Sequence, residues 1–509
     1  VVVGVLCAGG ARPAPAAAQR YSAADSALVA RILLAEDRRD TASAPYADGM
    51  RNPDARIRVI ARRAIARARD ARFTTRDSIL PKLPDPPKYD DPAWRYRYRQ
   101  LGNRNDNCRQ LGEALHDSVW AVRLRAADLV TSACARDSAV ANVVRAWVAG
   151  LPGTTAHRAG DVSWHAAAHG FVALARIAPA EARTAMPRLA TSAIPQVRTY
   201  AARAAAVLDD TATLVRLAGD HDDNVKEAAI TGLASVAGHA QDQAIIAALG
   251  APGYQAVRAA ARALRASPLR DIVLSAAITN ALRLRGDSSE SSRDARRAVV
   301  DLIASFATPP DWPRIAPLAA DFDCTIAAAV AALGDSLGDA GVKPKCTPFA
   351  VDLPPDAVRL ALGADVRVRV TMADSSGGGS FVVRLRGDIA PVMGARVLQL
   401  VRAGYYDNRP WHRVEHDFVI QGPGANEYVG SPRYVRDELG NVPHARGTVG
   451  MSTRAHDTGD AQWFVNLKDN IRLGRDYSVF AEVTDGIDVV DAVLEGDVVA
   501  RMEVVGDGR

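Results

Sequence analysis

Trp411-His412-Arg413-Val414 runs on to Phe418-Val419-Ile420-Gln421-Gly422, and Gly447-Thr448-Val449-Gly450-Met451 runs on to Gln462-Trp463-Phe464-Val465. Strand side chains alternate between faces, so Arg413 and Gln421, eight positions apart, return to one face when the turn between them preserves parity. An arginine there offers several rigidly placed N–H donors and stays charged. Gln421 can orient Arg413 or hold a bound backbone, while Phe418, Val419, Phe464 and Leu473 supply an apolar slot. Taken singly these residues are ordinary: buried rings are what strands contribute, and a lone arginine is a surface charge or an ion-pair partner. Their order and spacing carry the weight.

The same order extends both ways. Upstream lie Gly379-Ser380-Phe381-Val382-Val383-Arg384-Leu385, Ala390-Pro391 and Gly404-Tyr405-Tyr406-Asp407; downstream lie Asp476-Tyr477-Ser478-Val479-Phe480 and Gly486-Ile487-Asp488-Val489-Val490. From about 364 to 505 the chain resembles the cyclophilin-type peptidyl-prolyl cis/trans isomerases. The resemblance implies a closed antiparallel β-barrel with capping helices. It also implies catalytic roles for Arg413 and Gln421, and a substrate site formed by Phe418, Val419, Ser452, Thr453, Gln462, Phe464, Leu473 and Tyr477. Several rim positions depart from the family pattern. Val419 stands for Met, Ser452 for Ala, Thr453 for Asn, Tyr477 for His and Arg472 for a Trp or Phe, so an apolar wall that would favour cyclosporin is missing. Trp411 and Trp463 replace phenylalanines, and Gly422-Pro423-Gly424 replaces a Gly-Gly-Asp turn.

The chemistry implied is undemanding. Rotation about an X-Pro bond breaks amide resonance over a barrier of roughly 20 kcal/mol, so a catalyst needs only to bind the twisted amide better than the planar one. An apolar slot for the proline ring and a fixed cationic donor suffice; the reaction calls for no cofactor and no metal. His412 and His444 have no Cys or Ser partner in a nucleophile motif and are expected to be structural. The rival reading is a non-catalytic module that captures Pro-containing segments, but such a binder would be free to lose Arg413.

At 509 residues with 48% hydrophobic content, the chain is long enough for two to four packed domains. A net charge of +5 spread over that length excludes a strongly nucleic-acid-directed protein. The alternation Trp94-Arg95-Tyr96-Arg97-Tyr98-Arg99 is the one stretch that suggests otherwise, and it is read as an element bordering a Pro-rich loop. The apolar start, Val1-Val2-Val3-Gly4-Val5-Leu6-Cys7-Ala8, followed by Ala14-Pro15-Ala16-Ala17-Ala18, is read as a truncated signal peptide over 1–18. This places the protein in the bacterial periplasm or cell envelope; a lipid anchor at Cys7 is the alternative. No other stretch approaches the roughly 20 apolar residues of a membrane span. Four further cysteines allow three pairings, of which sequence proximity favours Cys108 with Cys134 and Cys324 with Cys346.

Residues 19–339 repeat a local grammar. Ile57-Arg58, Val122-Arg123, Val197-Arg198, Val225-Lys226 and Val257-Arg258 are each followed by apolar residues, most of them Ala, that recur about three and four apart, the mark of an amphipathic helix. The pattern resembles HEAT repeats and predicts an all-α HEAT-like solenoid, its surface available to a client or protein partner. A linker over 340–359, with Lys343-Pro344-Lys345 and Leu353-Pro354-Pro355, leads into the isomerase-like domain at 360–509. The expected substrates are Pro-containing polypeptides of exported proteins.

Overall fold

The computed structural model describes residues 21–70, 85–103, 107–151, 163–286, 292–346, 352–424, 435–453, 456–459 and 461–506. The signal segment 1–18 and Cys7 lie outside them. The C-terminal part is one nine-stranded antiparallel sheet: β1 (Arg367–Met372), β2 (Ser380–Leu385), β3 (Arg409–Pro410), β4 (Arg413–Glu415), β5 (Val419–Gly422), β6 (Thr448–Met451), β7 (Trp463–Asn466), β8 (Val479–Asp485) and β9 (Val498–Gly506). In β1, Val368, Val370 and Met372 point inward and Arg367 and Arg369 outward, the alternation of a half-buried strand. Gly377, Gly378 and Gly379 all have positive φ in the turn to β2, a backbone that side chains with a Cβ rarely adopt. Inside the curl, Trp411 and Trp463 meet edge to face at 5.1 Å, and the Tyr406 hydroxyl donates to the Ala461 carbonyl at 2.7 Å.

The closed barrel expected from the sequence is not formed. The strand order β3-β9-β1-β2-β8-β6-β7-β5-β4 is open, and the sheet curls through 295° with its edges 9 Å apart. Both edge strands are too short to zip together. β3 has two residues, one of them Pro410 with no N–H to donate, and β4 has three.

The N-terminal part is α-helical. Each repeated Val or Ile sits on a helix and is buried: Ile57, Val122, Val197, Val225 and Val257 are at most 1% exposed. Asp54 and Asp222 cap their helices by accepting from the two backbone N–H groups that follow within three residues. A regular solenoid does not emerge among the described residues. Helix lengths run from 4 residues (Trp312–Ile315) to 15 (Ala23–Asp37), with 3-10 turns breaking the series. The first three helices, Ala23–Asp37, Ala44–Arg51 and Ala55–Arg69, share a hydrophobic core with the sheet, while the helices from Ala93–Gly102 to Cys324–Ser336 build a separate one. No described helix is long and apolar enough to cross a membrane. Disulfides join Cys108 to Cys134 and Cys324 to Cys346, as proximity favoured.

Three of the joints that fix the helices to the sheet are the most deeply buried or aromatic. Arg67, fully buried on the helix Ala55–Arg69, donates to the carbonyls of Leu439, Ile389 and Glu438 and to the Glu36 carboxylate. The helix Ala93–Gly102 presents Trp94 and Tyr98 edge-on to His416, while Arg95 reaches Asp491 at 2.8 Å and the Leu467 carbonyl at 2.6 Å. The aromatic and arginine alternation is thus a docking face. On the helix Trp164–Ile177, His165 Nε2 lies 2.6 Å from the Glu495 carbonyl.

Candidate active site

The β4–β5 hairpin places Arg413 directly opposite Gln421, as the parity argument requires. Arg413 Nη1 donates to Gln421 Oε1 at 2.9 Å, and Gln421 Nε2 donates to Ser452 Oγ at 3.0 Å. The amide is thereby oriented: its oxygen must face the guanidinium, which can only donate. Arg413 Nε also donates to Glu415 Oε1 at 2.9 Å. Glu415, two residues on and therefore on the same strand face, was open to the same parity reading that found Gln421. The Arg413 side chain is left 46% exposed, so it is aimed but not used up.

Beside it lies a small apolar cluster of Val419, Phe464 and Leu473, with half-buried Phe418 and Tyr477 packed against it. Phe464 pairs across the ladder with Gln421 on one side and Gly450 on the other. A Cβ on Gly450 would fall 2.3 Å from Phe464 Cζ, so the glycine makes room for the ring. Tyr477 meets Phe464 edge to face at 5.6 Å, and His444 stacks on the ring's flat side at 5.7 Å. His444 Nδ1 faces the Asn466 amide nitrogen at 3.1 Å and Nε2 the Tyr477 carbonyl at 3.0 Å. Burial pulls its pKa down, so it is a neutral positioning ring, the structural role expected for it. Asn466 and Asn470, which sequence reasoning did not single out, hold this region together: Asn470 Nδ2 lies 2.8 Å from Asn466 Oδ1 and 3.0 Å from the Phe418 carbonyl.

The rim is charged. Arg472 holds its guanidinium carbon 4.6 Å from the Phe418 ring centroid, and Arg413 holds its own at 5.8 Å. Ser452 joins the hydrogen-bonded chain, whereas Thr453 follows it half-buried at the margin. Gln462 accepts from the Ser452 N–H through its backbone carbonyl at 2.9 Å, and its side-chain stem is turned toward Gly424.

Residues 367–506 match the family described as cyclophilin type peptidyl-prolyl cis-trans isomerase/CLD. Peptidyl-prolyl cis-trans isomerase B of Escherichia coli K12 is 36% identical over 129 residues, which are 23% of this chain and 78% of that protein. The chain belongs to the cyclophilin-type isomerases. Peptidyl-prolyl cis-trans isomerase cyp18 of Streptomyces antibioticus is 35% identical over 136 residues, 24% of this chain and 82% of that protein. An isomerase of Helicobacter pylori is 29% identical over 127 residues, 24% and 78% respectively. The chain is accordingly a peptidyl-prolyl cis/trans isomerase acting on Pro-containing polypeptides, its cyclophilin part a minority of its length.

Proposed function

We propose that Arg413 is the group that stabilises the twisted amide, with Phe418, Phe464 and Leu473 holding the proline ring and Gln421 setting the guanidinium's direction. The observation that carries this reading is the half-exposed Arg413 side chain, its guanidinium held by Gln421 and Glu415 at the edge of the apolar cluster. A prolyl ring in the slot puts its amide within reach of a donor that needs no reorganisation when the bond twists. Val419, Tyr477, Ser452, Thr453 and Gln462 line or support the path of the peptide. Arg413→Ala should lower kcat/KM on an Ala-Pro tetrapeptide by on the order of 10², the scale of losing one preorganised donor. A variant that stays folded and retains near wild-type activity would sink the mechanism.

The substrates we envisage are exported proteins. Two disulfides of ordinary loop length support an oxidising compartment such as the bacterial periplasm or cell envelope. Peptide mapping without reduction, on protein recovered from the envelope, tests this, and four free thiols would count against it. The isomerase unit is taken as residues 360–509 buttressed by the first three helices, and the later helices as the part that binds the client.

A further inference from the structure

Between the later helices and the sheet lies a cleft of about 1250 Å³. One wall is made by the helices Pro195–Val207 and Asp223–Ala237, with Gln196, Asn224, Thr231 and Ser235 on it; the other carries Pro410, His412 and Arg413. The cleft is therefore continuous with the catalytic arginine, and its far wall belongs to the helical part. β3 and β4, the two ends of the open sheet, both border it. Edge strands present backbone donors and acceptors on their outer side.

Its size and chemistry select the occupant. Small-molecule pockets run roughly 300–1,000 Å³, so this space fits a polymer better. Carboxylates on the helical wall are already engaged: Asp223 pairs with Lys226 at 2.9 Å and Glu227 with Arg258 at 2.9 Å. Asp222 accepts from the Asn224 and Val225 N–H groups and Arg203 lies over the Tyr200 ring, which leaves the exposed His221 and the amides and hydroxyls of Gln196, Asn224, Thr231 and Ser235, with Ala206, Ala228 and Val257 among them. Side-chain donors and acceptors set among small apolar residues suit the backbone of an extended chain. The walls are also fixed relative to one another: Tyr200 OH lies 2.8 Å from His169 Nε2, His169 Nδ1 lies 2.6 Å from Asp128, and His165 holds the Glu495 carbonyl.

We propose that this cleft binds the substrate chain flanking the X-Pro bond, as an extended, unfolded polypeptide recognised through its backbone, so that the helical wall is the second half of the enzyme's binding site. The proposal rests on Arg413 being the catalytic donor, and it assigns to the helices a direct hold on the substrate of that same site. Long unfolded chains then gain from the cleft what a tetrapeptide, too short to span both walls, does not.

Thr231→Trp and Ser235→Trp test it in the full chain. Both positions are exposed on the cleft face of one helix, one turn apart, so either variant carries the test if the other fails to fold. The substrates are an Ala-Pro tetrapeptide and a reduced, carboxymethylated ribonuclease whose refolding is limited by proline isomerisation. The ratio of kcat/KM for the ribonuclease to that for the tetrapeptide should fall about tenfold in either variant, the effect of losing one substantial contact. An unchanged ratio overturns the proposal, whether both rates hold or both fall. A wild-type chain that accelerates neither substrate sinks the isomerase mechanism alone. The cleft is then judged by anisotropy: binding of the unfolded ribonuclease weakens about tenfold in either variant if the cleft holds it. Unchanged binding, or equal binding of the native ribonuclease, overturns the proposal.

Discussion

Arg413 and Arg67 are the same side chain put to opposite uses. Arg67 is 1% exposed and gives hydrogen bonds from all three guanidinium nitrogens, to three carbonyls and the Glu36 carboxylate. Glu438, beside it, accepts from the Val392 and Met393 N–H groups at 3.3 and 2.8 Å, satisfying two of the orphan donors that open the helix Pro391–Arg402. Arg413 is nearly half exposed, and it donates to Glu415 on its own strand and to Gln421 across the ladder. A guanidinium whose donors are all committed in the dry holds a fold together. One that is aimed by a few partners and open to water can still take a ligand.

The contrast predicts that damage at the two sites shows in different measurements. Arg67→Ala should produce the largest effect, a loss of about 3–5 kcal/mol of stability, because it removes the guanidinium hydrogen-bonded to Glu36 and closest to the capping Glu438, leaving them Arg63, 3.8 Å from Glu36. Chemical denaturation checks this; a loss under about 1 kcal/mol would mean that the joint is replaceable by water.

The same joint should respond to pH. Burial pushes the Asp37 carboxyl up to about 6, against the pull of Arg436 and Arg39 and with Asp457 adding to the rise. A group whose folded pKa is raised contributes stability that is fully present below its unfolded value and lost as pH rises through the folded one. For Asp37 that window runs from 3.8 to about 6. Wild-type stability measured relative to Asp37→Asn should therefore fall by up to about 3 kcal/mol as pH rises through the window. Glu36 and Glu438, which titrate in both proteins, cancel in that difference. A pH-independent difference would mean that Asp37 is better solvated than its burial implies.

Arg413→Ala comes next in size, costing on the order of 10² in kcat/KM, but its mark is that thermal stability should stay near wild type. Combined loss of activity and stability would erase the contrast between the two arginines.

The site was more legible in the sequence than the architecture around it, for a physical reason. Arg413 facing Gln421, Phe464 beside both and Gly450 yielding space to the ring follow from strand parity and ladder register, which short stretches encode. Closure of the sheet is not local. It depends on whether a two-residue β3 and a three-residue β4 meet after seven other strands have curled, and they stop short. The Val-Arg-Ala pattern likewise marks which face of each helix is buried, but not what covers it. Ile57 and Val225 look alike in sequence, yet Ile57 packs into the core of the sheet and Val225 among the later helices. Trp94 to Arg99 hid its role in the same way, since its partners His416, Asp417 and Asp491 lie more than 300 residues on.

The smallest effect concerns the rim, where the cyclophilin fold keeps its slot but exchanges an aromatic wall for Arg472. The guanidinium covers the Phe418 ring from 4.6 Å and carries its hydration with it, so an apolar ligand must displace that water to reach the ring. Arg472→Trp would exchange a cation–π contact of about 0.5–1 kcal/mol for apolar area, at about 25 cal/mol per Å² covered by ligand. With some 50–100 Å² of indole in contact, cyclosporin should bind severalfold more tightly, and calorimetry on the two proteins measures the difference. Equal affinities would mean that the ligand does not pass over residue 472, and that the rim is set instead by Phe418 and Tyr477, whose half-buried rings both variants share.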